Sequence, residues 1–442
     1  MRPASTSKLS LIGSVSLGTG VMIGAGIFAL MGQVAELAGS LFPIAFLVGG
    51  IVTGLSAYSY VKFSNAYPSS GGVAKFLRKA YGPGTVTGTF SLLMYVSMVI
   101  AESLVARTFG SYTLRLFNVG DGGGLVPVLG VLLIAAAFVI NVSGNKIIGA
   151  TATITAAAKI LGIALLAIAG LAASGFPSFE NLGAADSSNW SMMGGFIAAL
   201  ALSILAYKGF TTITNQGGDI VNPKKNVGRS IIYSVLICMV LYVALALSVS
   251  ASLSIPDIIK AKNYALAEAA QPVFGNLGLW FTVILAIIAT ISGLIASVFS
   301  ASRLLAMLSK MKQIPDLQSK FSNPALLFTV SLATILTVLF DLTRIAAIGA
   351  IFYLVMDIAV HWGLFRFLRK EITFNPVVPL LALLFDAVIL VAFMILKFKS
   401  DPLVLIVSFA GILIVIIAER FFMRTHTDSD GKMNMDMDMK DS

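Results

Sequence analysis

The chain has 442 residues, 57% of them hydrophobic and only 11% charged, with a mean hydropathy of +0.94. Soluble domains carry about 25% charged residues, so that class is excluded and a protein that crosses the membrane many times is implied. The net charge of +10 calls for no nucleic acid, because excess Lys and Arg in cytoplasmic loops produces it, and the single cysteine, Cys238, excludes an intramolecular disulfide or a cysteine metal cluster.

Apolar stretches near the roughly 20 residues that span a bilayer cover 9–34, 41–63, 84–113, 125–142, 147–173, 191–217, 230–252, 277–301, 325–341, 344–365, 376–396 and 402–420. The expectation is an all-α membrane protein of twelve transmembrane helices. With the N-terminus inside, most basic residues fall in the cytoplasm, and only Arg115, Lys260, Lys262, Arg344, Lys397 and Lys399 fall outside. Both termini are then cytoplasmic. The first apolar run lacks a small-residue cleavage site and reads as a retained helix.

The first span holds GVMIGAGIF at Gly20 to Phe28. Each glycine costs about 1 kcal/mol of helix propensity relative to Ala, and Gly24-Ala25-Gly26 leaves amides without side-chain cover. Two readings follow: close helix packing through Gly20-xxx-Gly24, or a broken helix whose freed amides bind a ligand. After the second span, NAYPSSGGVAKFLRKAYGP at 65–83 predicts a turn and a short interfacial helix. The third span carries Glu102 and Arg107, whose spacing of five does not make a local pair. Lys159 stands in the fifth span. An intramembrane lysine costs roughly 2.5–3.5 kcal/mol on insertion scales and marks a functional candidate, with snorkelling to the cytoplasmic side as the alternative.

The sixth span is interrupted at Tyr207-Lys208-Gly209-Phe210, followed by a polar run and by Asn222-Pro223, where the helix must end. Gly-interrupted segments opening two five-span halves point to a midplane substrate site between inverted repeats. With the second interruption present, the packing reading of the first becomes the weaker account. The eighth span has serines at 292, 297, 300 and 302, which bond to their own helix or face the core. In the tenth, Asp357 and His361 share a face at i and i+4, a structural hydrogen-bond pair or an auxiliary proton relay. Spans eleven and twelve offer Asp386 as their only buried charge. The tail from 425 is polar and reads as disordered; its alternating Met and Asp could bind a soft metal, but no second ligand cluster supports this, and no metal or cofactor is expected.

These residues carry a resemblance. GVMIGAGIF at 20–28, AYPSSGGVAKFLRKAYG at 66–82, NVSGNKIIG at 141–149, LAYKGFTTITN at 205–215, NPKKNVGRS at 222–230 and SASRLLAML at 300–308 resemble the amino acid–polyamine–organocation permeases, in particular proton-coupled prokaryotic amino acid transporters. The resemblance implies a leucine-transporter-like 5+5 inverted repeat with broken helices 1 and 6: a first repeat over 9–173, a second over 191–370, peripheral helices over 371–424, and cytoplasmic ends at 1–8 and 425–442. It implies that amides at Ile23, Gly24, Ala25 and Gly26 bind a substrate α-carboxylate. Carbonyls near Leu205, Ala206, Tyr207 and Gly209 would receive the α-ammonium, in keeping with the opposite polarity of half-helix ends. Lys159 matches the fifth-helix lysine that stands in place of sodium in sodium-independent relatives, where it would meet carbonyls near Gly20 to Ile23 and the hydroxyl of Ser297 or Ser300, and titrate during transport.

Two positions depart from the family pattern. Asp219 is the only acid where relatives often carry a glutamate after the sixth helix, which puts an inner gate pair in doubt. Lys208 occupies a position usually apolar or acidic: facing the site it would favour acidic substrates or need Glu102 or Asp357 as a partner, and facing a crevice it is simply solvated. The function implied is alternating-access transport of amino acids across the cytoplasmic membrane, sodium-independent and coupled to protons. The partners are then an amino acid, protons and the lipid bilayer. An exchanger, a polyamine transporter and a non-transporting amino acid sensor are the alternatives. An enzyme is disfavoured because no nucleophile and base are paired and the chain has only two histidines.

Overall fold

The computed structural model describes residues 8–117, 119, 123–143, 145–176, 190–315 and 323–427. The tail at 428–442, most of the N-terminal segment and the loop at 177–189 lie outside the described residues, as do the domain readings that fall on them. Among the described residues every regular element is helical, apart from an isolated parallel bridge between Leu9 and Ile220.

The order is α1 (Leu11–Met22), a π-helical turn (Ile23–Ile27), α2 (Phe28–Ala38), α3 (Phe42–Ala66), α4 (Gly72–Tyr81), α5 (Thr85–Arg115), α6 (Leu125–Ser143) and α7 (Asn145–Ser174). Then come α8 (Trp190–Tyr207), a 3-10 turn (Lys208–Phe210), α9 (Thr211–Thr214), α10 (Pro223–Ser252), α11 (Ile255–Lys260), α12 (Ala265–Lys310), α13 (Pro324–Leu339), α14 (Leu342–Phe367), α15 (Val377–Ser400) and α16 (Pro402–Thr427). The boundaries follow local chemistry. Ser10 caps α1 by accepting from the Gly13 amide, and Asp341 caps α14 by accepting from the Arg344 amide at 2.9 Å. Asn222 adopts a left-handed conformation before Pro223, which opens α10; the α-helix of the sixth span has already ended at Thr214, so the Asn-Pro pair marks the start of the next helix and not the stop expected there.

Among the described residues ten stretches are long and apolar enough to cross a membrane, with Leu11–Met22 and Pro324–Leu339 as shorter apolar helices. The difference from the expected twelve has a physical source. The first span is divided by its π turn, its second half runs into α3 as one apolar stretch over Phe28–Ala66, and α13 holds only 16 helical residues. In the middle of the fold α1 packs on α7, α10 and α12, while α8 packs on α2, α3, α14 and α15. The two interrupted helices are thereby enclosed by others. The outer faces of α15 and α16 stay apolar and exposed through Leu384, Val388, Ile406, Phe409 and Ile414, as a lipid-facing layer requires. The interfacial helix expected in the second loop is α4. Gly72, at φ +46°, lets α4 approach Asn215, whose Cα would lie 2.7 Å from any added Cβ.

Candidate functional site

The first interruption is a π turn and not an unwound gap: the backbone stays helical through Ile23–Ile27 while the hydrogen-bond register widens. The second is a 3-10 turn at Lys208–Phe210 that tightens the register instead. The two meet. A Cβ on Gly209 would stand 2.5 Å from the Met22 nitrogen, and one on Gly26 would run into the Ala206 carbonyl, with Tyr242 Oη 2.9 Å away. Gly24 abuts α12, where an added Cβ would stand 2.5 Å from the Ala289 carbonyl and 3.0 Å from Gly293 Cα. Close packing and an exceptional backbone therefore occur at the same glycines, and the two readings of this run are not exclusive. Ile23, Leu205, Ala206 and Tyr207 are all buried around the junction. Tyr207 Oη donates to the Phe46 carbonyl at 3.0 Å, and Tyr242 Oη reaches the Ala206 carbonyl at 3.5 Å.

Lys159 is buried and does not snorkel. Its ammonium donates to the Gly20 carbonyl at 2.8 Å and to Ser292 Oγ at 2.9 Å. A Cβ at position 20 would stand 3.2 Å from Nζ, so the ammonium would have to give by a few tenths of an ångström. The carbonyl expectation holds, but the serine is 292 and neither Ser297 nor Ser300. At about 100° per residue, Ser297 is turned roughly 140° from Ser292 on the same helix and cannot share its face. Ser297 Oγ lies 3.5 Å from Glu102 Oε1, and Ser300 Oγ is buried without a hydrogen-bond partner among the described residues. Glu102 is fully buried, and its Oε2 has no hydrogen-bond partner among them either. Arg107 points elsewhere and donates to the Thr337 carbonyl at 2.8 Å.

Lys208 is neither solvated nor paired with Glu102. It forms a buried ion pair with Asp357 and donates to Ser56 Oγ at 3.2 Å. Tyr60 Oη donates to Asp357 Oδ1 at 2.6 Å and Ser56 Oγ to Oδ2 at 3.1 Å. His361 extends the group: Nδ1 lies 2.8 Å from Ser59 Oγ, Nε2 lies 3.1 Å from Ser56 Oγ and 3.2 Å from Asp386 Oδ2. Asp357, His361 and Asp386 have ligating atoms within 4.8 Å of one another, a spacing that suits a metal ion. The Lys208 ammonium already occupies the cation position against Asp357, so the cluster carries its own counter-charge. The contribution of α3 was readable in principle, because Ser56, Ser59 and Tyr60 follow the i, i+3, i+4 spacing of one helix face.

Asp386 is not the only buried charge of the last two long helices: Lys397 and Glu419 are buried as well, the latter against Gly88 on α5. Asp219 has a cationic partner, with Arg303 Nη1 2.5 Å from its Oδ2. Nearby, Leu9 donates its amide to the Asp219 carbonyl at 2.8 Å, and Ser14 and Ser230 meet at 2.6 Å. At the other end Lys262 pairs with Glu36 at 2.8 Å and Arg115 with Glu268 at 3.0 Å. Polar ties thus close the fold at both ends of the interrupted helices. Outside the spans, the phenols of Tyr67 and Tyr81 are each pushed up to about 12, chiefly by burial, so both remain donors near neutral pH. Tyr67 Oη donates to Glu371 at 2.7 Å and Tyr81 Oη to the Ala359 carbonyl at 2.6 Å.

Among curated proteins, an uncharacterized protein of Methanocaldococcus jannaschii is 34% identical over 80% of this chain and 81% of its own length. The inner membrane transport protein YbaT of Escherichia coli is 29% identical over 95% of this chain and 97% of its own. The serine/threonine exchanger SteT of Bacillus subtilis is 25% identical over 92% and 95%. The family model described as amino acid permease matches residues 9–427. With two interrupted helices joined at the centre of an all-helical apolar fold, and with that match over nearly its whole length, the chain belongs to the amino acid permease family, whose members are membrane transporters and not enzymes.

Proposed function

We propose that the protein carries an amino acid zwitterion across the cytoplasmic membrane by alternating access, without sodium and in symport with protons, both termini lying in the cytoplasm. In this reading the two shorter apolar helices complete twelve spans, the first ten form inverted repeats, and the substrate binds at the junction of the two interruptions. Amides of Ile23, Gly24, Ala25 and Gly26 receive the carboxylate, and carbonyls of Leu205, Ala206, Tyr207 and Gly209 receive the ammonium. The observation that carries the reading is Lys159 Nζ on the Gly20 carbonyl at 2.8 Å, beside the first interruption. A fixed ammonium stands there where a bound cation would otherwise satisfy that carbonyl. Release of its proton would turn a charge-assisted bond to the Gly20 carbonyl into a weaker neutral one and loosen the hold on the π turn.

The naming of one relative as an exchanger favours amino acid exchange as a second reading. The Lys208–Asp357 pair argues against Lys208 as a determinant for acidic substrates, because its charge is already met. The deciding experiment is uptake of labelled alanine, serine, glutamate and arginine into liposomes at two external pH values, with and without sodium, and with internal amino acid preloaded or absent. Sodium-independent uptake that rises with an inward proton gradient is expected in empty liposomes. A sodium requirement would overturn the role given to Lys159, and uptake confined to preloaded liposomes would establish exchange.

A further inference from the structure

The cluster around His361 has a charge balance that the substrate junction does not explain. Lys208 and Asp357 cancel as a pair, and Tyr60, Ser56 and Ser59 are neutral. That leaves His361 and Asp386, both fully buried. Neither carboxylate oxygen of Asp386 receives a well-aligned donor among the described residues, and its nearest polar neighbour is His361 Nε2 at 3.2 Å. A lone carboxylate in such a place is costly unless a positive charge faces it. A single proton on the imidazole supplies that charge and brings the whole cluster to neutrality.

The hydrogen bonds say which atom takes it. Ser56 has one hydroxyl proton and gives it to Asp357 Oδ2 at 3.1 Å, so toward Lys208 Nζ, at 3.2 Å, and His361 Nε2, at 3.1 Å, its oxygen accepts. Nε2 therefore carries a proton in both states. Nδ1 faces Ser59 Oγ at 2.8 Å, a hydroxyl able to donate to a bare nitrogen or to accept from a protonated one. We propose that His361 and Asp386 form a one-proton binding site that loads at Nδ1 of His361 and is linked through Ser56 and Asp357 to Lys208, the first residue of the second interruption. This site is separate from Lys159, which bonds to Gly20 and Ser292.

The groups facing the dyad are few. They are Lys208 from the 3-10 turn, Tyr60, Ser56 and Ser59 from α3, and Asp357 with Tyr353 from α14 itself, Tyr353 being within electrostatic reach of Tyr60 and Asp357. Of the other helices packed on α14, α5 brings Glu102 toward Tyr353, α4 brings Tyr81 to the Ala359 carbonyl, and the buried acid of α16, Glu419, lies against Gly88 of α5. Lys208 is thus the one cation in the set. Any movement of the 3-10 turn that draws Lys208 away from Asp357 leaves two carboxylates facing His361 and strengthens proton binding. A proton on His361 and the position of the second interruption are thereby coupled. Where the proton binds follows from this geometry; what it is used for rests on the transport reading above.

The test is direct because the chain has two histidines, His361 and His426. In full-length protein carrying His426→Gln, labelled with nitrogen-15 at histidine and held in liposomes, the single remaining imidazole reports its protonation by magnetic resonance as pH is varied. The expected result is an Nε2–H imidazole that gains its proton at Nδ1 as pH falls. Asp386→Asn removes the charge that the proton balances and moves the midpoint down by about one pH unit or more, while Lys208→Met moves it up by a similar amount. Asp357→Asn, which is isosteric, should move it down and serves where Lys208→Met does not fold. An imidazole neutral throughout, an Nδ1–H neutral tautomer, or a midpoint unmoved by Asp386→Asn would overturn the assignment. Uptake measured in parallel keeps the two readings apart: wild-type uptake indifferent to pH would overturn the proton coupling of the transport cycle, while the resonance titration still decides the site.

Discussion

Each interruption has its own buried lysine, and the two are held in opposite ways. Lys159, beside the π turn, is met by a backbone carbonyl and a serine hydroxyl. Lys208, in the 3-10 turn, is met by a carboxylate that itself accepts from Tyr60 and Ser56. An ammonium held by neutral dipoles retains its desolvation cost, and losing its proton strands no counter-charge. An ammonium in a buried ion pair is fixed, because removing either partner leaves the other unpaired in a dry interior. In the transport reading proposed above, the first lysine is the one that changes state, and the second holds position until its helix moves.

The largest expected effect comes from separating function from stability at the first lysine. Lys159→Met should abolish uptake in liposomes yet lower stability by no more than about 3 kcal/mol, because the desolvation cost of the ammonium is relieved as its two hydrogen bonds are lost. Uptake at the wild-type rate would break the comparison at once. At the second lysine the balance reverses. Asp357→Ala should destabilise by about 3–5 kcal/mol in detergent, as expected for a buried pair stripped of one partner, and Lys208→Met with Asp357→Leu should recover much of that loss. A melting temperature as low for the double variant as for the single one would show that the pair does not act as a unit.

Smaller changes sharpen the picture. Gly26→Ala places a Cβ against the Ala206 carbonyl, and an overpacking cost of about 1–3 kcal/mol is expected together with weaker uptake. Ser292→Ala removes one of the two partners of the Lys159 ammonium and should cost about 1.5–3 kcal/mol, the scale of a hydrogen bond to a charged group. Ser297→Ala, on another face of the same helix, should leave the pH dependence of uptake unchanged. If Ser297→Ala altered that dependence and Ser292→Ala did not, the assignment of the Lys159 site would be reversed.

What was legible in the sequence follows from local physics. Mean hydropathy and the spacing of apolar runs are properties of short segments, and they forecast an all-helical membrane fold, while the Asn222-Pro223 pair marked the start of α10 and not the end of the sixth-span helix at Thr214. The two glycine-bearing interruptions were visible because glycine costs helix stability wherever it stands. Lys159 was visible because a charge within an apolar run is expensive. Their form was not visible: whether strained backbone widens into a π turn or tightens into a 3-10 turn depends on what packs beside it, here Ala206 against Gly26 and Met22 against Gly209.

Partner choice belonged to the tertiary structure. Periodicity gives the angle between Ser292, Ser297 and Ser300 around their helix, but not which of those directions faces α7. Helix packing turned Ser292 to Lys159 and Ser297 to Glu102. In the same way Lys208 could have met Glu102, Asp357 or water, and the placement of α14 beside α3 and α8 decided for Asp357. The sequence by itself determined where charge and broken backbone enter the membrane, because their cost is paid locally. Only the fold decided which of them meet, because contacts between residues 20 and 159, or 208 and 357, exist only once distant helices are packed.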